Sequence, residues 1–151
     1  FPGNRRDREI RDGDGGVNAL PLEMAVLVWL MLLAASLWIP YVVGVNMSRT
    51  GDVNPFQRPL SDDGLPDWVA RANRAHLNLL EQAMPFAVLV LGLQATDGFT
   101  ARTAWTSVAF LALRLAHAVG MITGATRMPL RPLVFTAGWV CCVIMGVSAL
   151  L

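Results

Sequence analysis

The sequence predicts an all-α protein, an integral membrane four-helix bundle, and three observations carry that prediction. The chain of 151 residues is 54% hydrophobic and only 15% charged, against about 25% charged in an ordinary soluble domain. Four stretches reach, or extend to, the roughly 20 residues needed to cross a bilayer. The segments between them are polar and punctuated by Gly and Pro. In hydrocarbon a span must satisfy its own backbone groups, which leaves helices as the crossing elements.

Residues 1–20 form a charged tail. Its "NRRDREIRDGDGG" mixes both signs with Gly and has no apolar core, so it reads as an arm, neither a signal peptide nor a folded unit. The domain proper is 21–151. Its first span, 22–46, carries Glu23 near its mouth and a kink candidate in Pro40. The loop "SRTGDVNPFQRPLSDDGLPD" follows. The second span is the weakest, because the uncharged run from Gln82 to Thr96 is too short to cross. It reaches full length only as 67–96, and so takes Arg71, Arg74, Asn78 and Glu81 into the helix. "TDGFTAR" turns the chain into a third span, 103–125, and "GATRMPLRP" into a fourth, 131–151. The arginines of the first and third loops put those loops in the cytoplasm and both termini outside, although the arginines of the tail pull the other way.

The net charge of +1 gives no nucleic-acid footprint. Cys141 and Cys142 are adjacent in an apolar run, where packing is their expected role. No residues are spaced as a metal site.

The polar residues of the spans are patterned. Arg71, Arg74, Asn78, Glu81 and Pro85 are three and four apart and share one helix face. Arg114, His117 and Met121 repeat that spacing on the third span. Each charge at such depth costs at least about 2.5 kcal/mol on insertion scales. They are therefore expected to face other helices, with Glu81 pairing with Arg114 or Arg74. Such a network could clamp the bundle or line a pocket. Two stripes with a further arginine group beside them favour a pocket, and its donors and acceptor suit a ligand with carboxylates and an amine. His76 lies off the stripe and fits a hydrogen-bonding or interface role.

On these residues the chain resembles the MAPEG family, the membrane-associated proteins of eicosanoid and glutathione metabolism. "RANRAHLNLLEQAMPF" is similar to the family's second-helix signature, "LRLAHAVGMITG" to its third-helix motif and "LRPLVFTAGW" to the start of its fourth helix. "LVWLMLLAASLWIPYVVG" resembles the first helix of small bacterial members, which implies a bacterial inner membrane. The resemblance covers 21–151. It implies a homotrimer in lipid with glutathione, as co-substrate, bound between subunits. By position it implies glutathione contacts at Arg71, Arg74, Asn78, Glu81, Arg114, His117 and Met121. It implies a thiolate-stabilising arginine at Arg131, or at Arg127. No metal is needed. Met121 departs from the pattern, because it stands where Tyr is usual and offers no hydroxyl.

Two functions follow from the resemblance. One is a membrane-bound glutathione-dependent transferase or peroxidase acting on hydrophobic electrophiles. The other is a non-catalytic accessory subunit of a larger membrane complex, reached through the tail. A generic four-helix transporter is a weaker third reading, since no charge lies mid-span apart from the Arg114 group.

Overall fold

The computed structural model of the chain describes residues 19–48, 64–125 and 129–151. Of these residues 85% are helical and none forms a strand, so the class is all-α. The helices are α1 (Leu22–Ser36), α2 (Ile39–Ser48), α3 (Asp67–Ala95), α4 (Ala101–Thr123) and α5 (Leu130–Leu150). Together α1 and α2 make one span, and the four spans begin and end within about two residues of the expected bounds. Nearly all of the tail, and Arg127, lie outside the described residues.

The break in the first span falls at Leu37 and Trp38, just before Pro40. Proline has no N–H for the carbonyl four residues back, and its ring collides with that carbonyl. Here the carbonyl belongs to Ser36, the last residue of α1. In contrast α3 runs unbroken through Pro85. It starts at Asp67, so the polar residues from Arg71 to Glu81 belong to the helix, as the length argument required.

Helices α3 and α4 form the middle of the bundle. Helix α3 packs against all four others, and α1 and α5 flank the α3–α4 pair. The seam between α3 and α4 is centred on Phe86 and Phe110, both fully buried and stacked with ring centroids 4.0 Å apart. The inward face of α3 is Ala75, Leu79, Gln82, Phe86, Val90 and Leu93, a repeat of three and four.

One end of the bundle is fastened by a compact polar knot. Thr100 caps α4, with its hydroxyl accepting from Thr103 N while Thr103 Oγ1 accepts from Thr100 N. Thr103 Oγ1 also donates to Glu23 Oε1 at 2.6 Å. Glu23 is the second residue of α1, so this bond ties the start of α1 to the start of α4. Before it, Asp97 takes a left-handed φ of 52°, a conformation Asp tolerates, and turns the chain out of α3.

Candidate functional site

At the opposite end, the start of α3, the end of α4 and the start of α5 converge. Two helix faces that the sequence marks as polar meet there. Arg114, His117 and Met121 share the inward face of α4, at 1%, 3% and 3% exposure. On α3 the stripe is turned further out: Arg71 and Asn78 are half-buried, while Arg74, Glu81 and Pro85 are exposed.

Between these helices and α5 opens a cavity of about 370 Å³, lined by Asn78, His117, Arg131, Pro132, Phe135 and Thr136. That volume lies within the range of small-molecule sites. It joins one expected residue from each of three helices. Another groove of similar size, between α1 and α4, is lined by Trp29, Leu32, Leu33, Ser36, Leu111 and Leu115 and contains no ionisable group. A third, of about 480 Å³ at the other end, is lined by Gly98, Thr100, Ala101, Arg102, Ser148 and Leu151; of the three, only the cavity lined by Asn78, His117 and Arg131 joins the two polar stripes to α5.

The other expected residues do not line the cavity. Asn78 Nδ2 donates to Met121 Sδ at 3.4 Å. The thioether is a weak acceptor, so the amide is held only lightly. Arg71 Nε donates to Ile122 O at 3.5 Å, and its guanidinium lies over Gly124, whose φ of +75° ends α4. A cation at a helix C-terminus meets the free carbonyls and the negative end of the dipole there. Arg71 thus caps α4 as well as belonging to the polar stripe.

Arg114 runs the other way, into the bundle. It crosses to α5, where Nη2 donates to Val134 O at 3.0 Å. Its guanidinium carbon lies 5.5 Å from the centre of the Phe110 ring and 5.8 Å from that of Phe135, close enough for cation–π attraction. Beside it, Gln82 Nε2 donates to Phe135 O at 3.1 Å. Gly138 makes this crossing possible: a Cβ there would fall on the Arg114 guanidinium and on Gln82 Oε1.

Among the described residues the expected pairing of Glu81 with Arg114 or Arg74 is not made. Arg114 Nε and Nη1 have no partner, and Glu81 is exposed on the outer side of α3. The reason is rotational. One residue is 100° of helix, so Gln82 takes the inward position that the pairing required of its neighbour. Among the described residues four buried polar atoms near this end lack partners: Arg114 Nε, Arg114 Nη1, Gln82 Oε1 and His117 Nε2. Nδ1 of His76 is also buried without a partner, so the hydrogen bond expected of that histidine is not made at this nitrogen.

Gln82, Phe135 and Gly138 were not among the expected site residues. A signal for Gln82 was present, since it is the one polar residue in the apolar repeat Ala75, Leu79, Phe86, Val90, Leu93. Phe135 and Gly138 carry no comparable mark in the sequence.

The sequence model of the MAPEG family matches residues 23–151. No curated protein matches the chain.

Proposed function

Because the chain belongs to the MAPEG family of integral membrane proteins, we propose that it is a glutathione transferase that conjugates glutathione to hydrophobic electrophiles drawn from the bilayer. The cavity lined by Asn78, His117 and Arg131 is the observation that carries this reading. It brings a cation, an amide and an imidazole to one small space at the polar end of the bundle. Arg131 is half-buried there, and a guanidinium in a partly dry site favours a thiolate over a thiol. Asn78 and His117 supply hydrogen bonds to the peptide portion. Arg74 and Glu81 of a neighbouring copy complete the ligand's surroundings as counter-charges for its carboxylates and amine.

The exposed stripe supports assembly as well. Arg74 and Glu81 point away from their own bundle within a spanning helix. Facing lipid, each would cost at least about 2.5 kcal/mol. A homotrimer that buries this face between copies removes that cost and puts the stripe beside a neighbour's cavity.

In the proposed step the glutathione sulfur, as thiolate, attacks the electrophilic carbon of an aryl halide. The C–S bond forms, the carbon–halogen bond breaks, and halide leaves with the bonding pair. The thiol proton has already passed to water. Arg131 stabilises the attacking anion and takes no proton.

The test is calorimetric titration of glutathione into detergent-purified protein, with conjugation of a hydrophobic aryl halide as the activity. Wild type is expected to bind and turn over. Arg131→Ala is expected to keep most of the binding and lose conjugation rate by about 10- to 100-fold, as for one electrostatic contact to a developing anion. Absence of binding at millimolar glutathione would leave the accessory-subunit reading in its place.

A further inference from the structure

Helix α5 contributes Arg131, Pro132, Phe135 and Thr136 to the cavity, so its placement decides what the cavity is. Two side chains from two other helices hold it. Gln82 of α3 donates to Phe135 O at 3.1 Å, and Arg114 of α4 donates to Val134 O at 3.0 Å. These acceptors are successive carbonyls, one turn beyond Arg131. A helix advances about 1.5 Å and turns 100° per residue. Bonds to adjacent carbonyls from separate directions therefore fix both the height of α5 and its rotation. A slip of one residue would swing Arg131 away from Asn78 and His117.

Packing does not account for Gln82. It is 6% exposed, in the middle of an apolar face, where a polar side chain is costly unless it is bonded. Only its Nε2 is bonded; its Oε1 has no partner. An apolar side chain of the same length would fill this space without leaving an orphaned oxygen. What such a residue could not do is hold the Phe135 carbonyl.

We infer that Gln82 is a positioning residue for this site: through the Phe135 carbonyl it sets the register and rotation of α5, and with them the reach of Arg131 and Phe135 into the cavity. The inference takes its ligand from the glutathione reading, while its geometry stands apart from it.

Gln82→Met keeps the length and removes the donor, and one experiment has two arms. In the first, Asn78→Cys and Thr136→Cys are placed across the cavity in a Cys141→Ala, Cys142→Ala background and joined with a short bis-maleimide. Adding Gln82→Met is expected to slow cross-linking about fivefold, the scale of one lost hydrogen bond. In the second, Gln82→Met in the otherwise native chain is expected to weaken glutathione binding by a similar factor. Its melting temperature is expected to hold or rise, which a purely structural role would not produce. An unchanged cross-linking rate overturns the inference even if glutathione affinity falls, because Gln82 would then act on the ligand itself. Slower cross-linking in a protein whose wild type binds no glutathione upholds the positioning role and removes the glutathione reading. Should Gln82→Met fail to fold, Gln82→Asn keeps the amide but is one methylene too short to reach Phe135 O. A native cross-linking rate in Gln82→Asn would equally overturn the inference.

Discussion

The two ends of this bundle hold their buried ionisable groups in different ways, although Ser148 Oγ, near the Thr100 end, is also buried without a partner. At one end Glu23 is buried at 4% exposure, and a short bond from Thr103, itself fully buried, meets it. Thr103 also completes the cap of α4. At the other end Arg114, His117 and Gln82 are buried as deeply, and four of their polar atoms have no partner. A half-satisfied network is worse for stability than an apolar core. The Glu23 end is thus built as a fastening. The open end keeps donors and an acceptor in reserve beside a cavity, and stability alone does not explain that arrangement.

The contrast breaks first at Gly138. The close crossing of Arg114 and Gln82 over α5 depends on the absence of a Cβ there. Gly138→Ala is expected to force both side chains off their carbonyls, costing about 3 kcal/mol from overpacking and lost bonds together. Thermal melting in detergent should show it as the largest drop among these variants, and glutathione binding should go with it. A melting curve like that of wild type would mean that the crossing is loose and that the open end has no fixed geometry to protect.

Thr103→Val tests the fastening. It removes the donor to the buried Glu23 carboxylate and the acceptor for Thr100 N, one half of the α4 capping box, at an expected cost of about 2 kcal/mol. Melting should fall while glutathione affinity stays within twofold, since the knot lies at the far end of α4 from the cavity. Loss of affinity without loss of stability would reverse the assignment of the two ends. Arg114→Met sharpens the same contrast from the other side. It replaces an unpaired buried cation with an apolar chain of similar length, a change that is often neutral or stabilising by about 1 kcal/mol or more. Melting is expected to hold or rise, and binding to weaken because α5 loses one of its two clamps.

Much of this was legible from spacing alone. Spans follow from apolar length, and the need to carry Arg71 and Arg74 into α3 follows from the shortness of the uncharged run after Glu81. The common face of Arg114, His117 and Met121 also follows from spacing, and all three are buried together. What periodicity does not give is rotation. The stripe on α3 is a real helix face, but nothing local says whether it turns toward α4 or away from it. The inward side is set by Ala75, Leu79, Phe86 and Val90, whose burial takes Gln82 with them and leaves Glu81 outside. Charge drew the expected pairing to Glu81, when the neutral amide beside it held the inward position. Gly138 was illegible for a related reason: a glycine in an apolar helix shows its use only when the side chain crossing it comes from another helix.

The smallest expected effect concerns Met121, and it asks whether the open end is complete. Met121 stands where the resemblance leads one to expect Tyr, and it engages Asn78 only through sulfur, at 3.4 Å. Met121→Tyr would place a hydroxyl near the Asn78 amide and the cavity. One neutral hydrogen bond adds about 0.5–1.5 kcal/mol, or roughly 2- to 12-fold in affinity. Met121 is 3% exposed, however, and a ring in that space carries its own packing cost, so Met121→Phe is the necessary reference. Glutathione is expected to bind Met121→Tyr more tightly than Met121→Phe by that factor, and more tightly than wild type if the ring is accommodated. Calorimetry on the three proteins separates the hydroxyl from the ring. Equal affinities for Tyr and Phe would mean that the hydroxyl reaches no ligand atom, so that Met121 serves the α3–α4 seam and the site is complete without it.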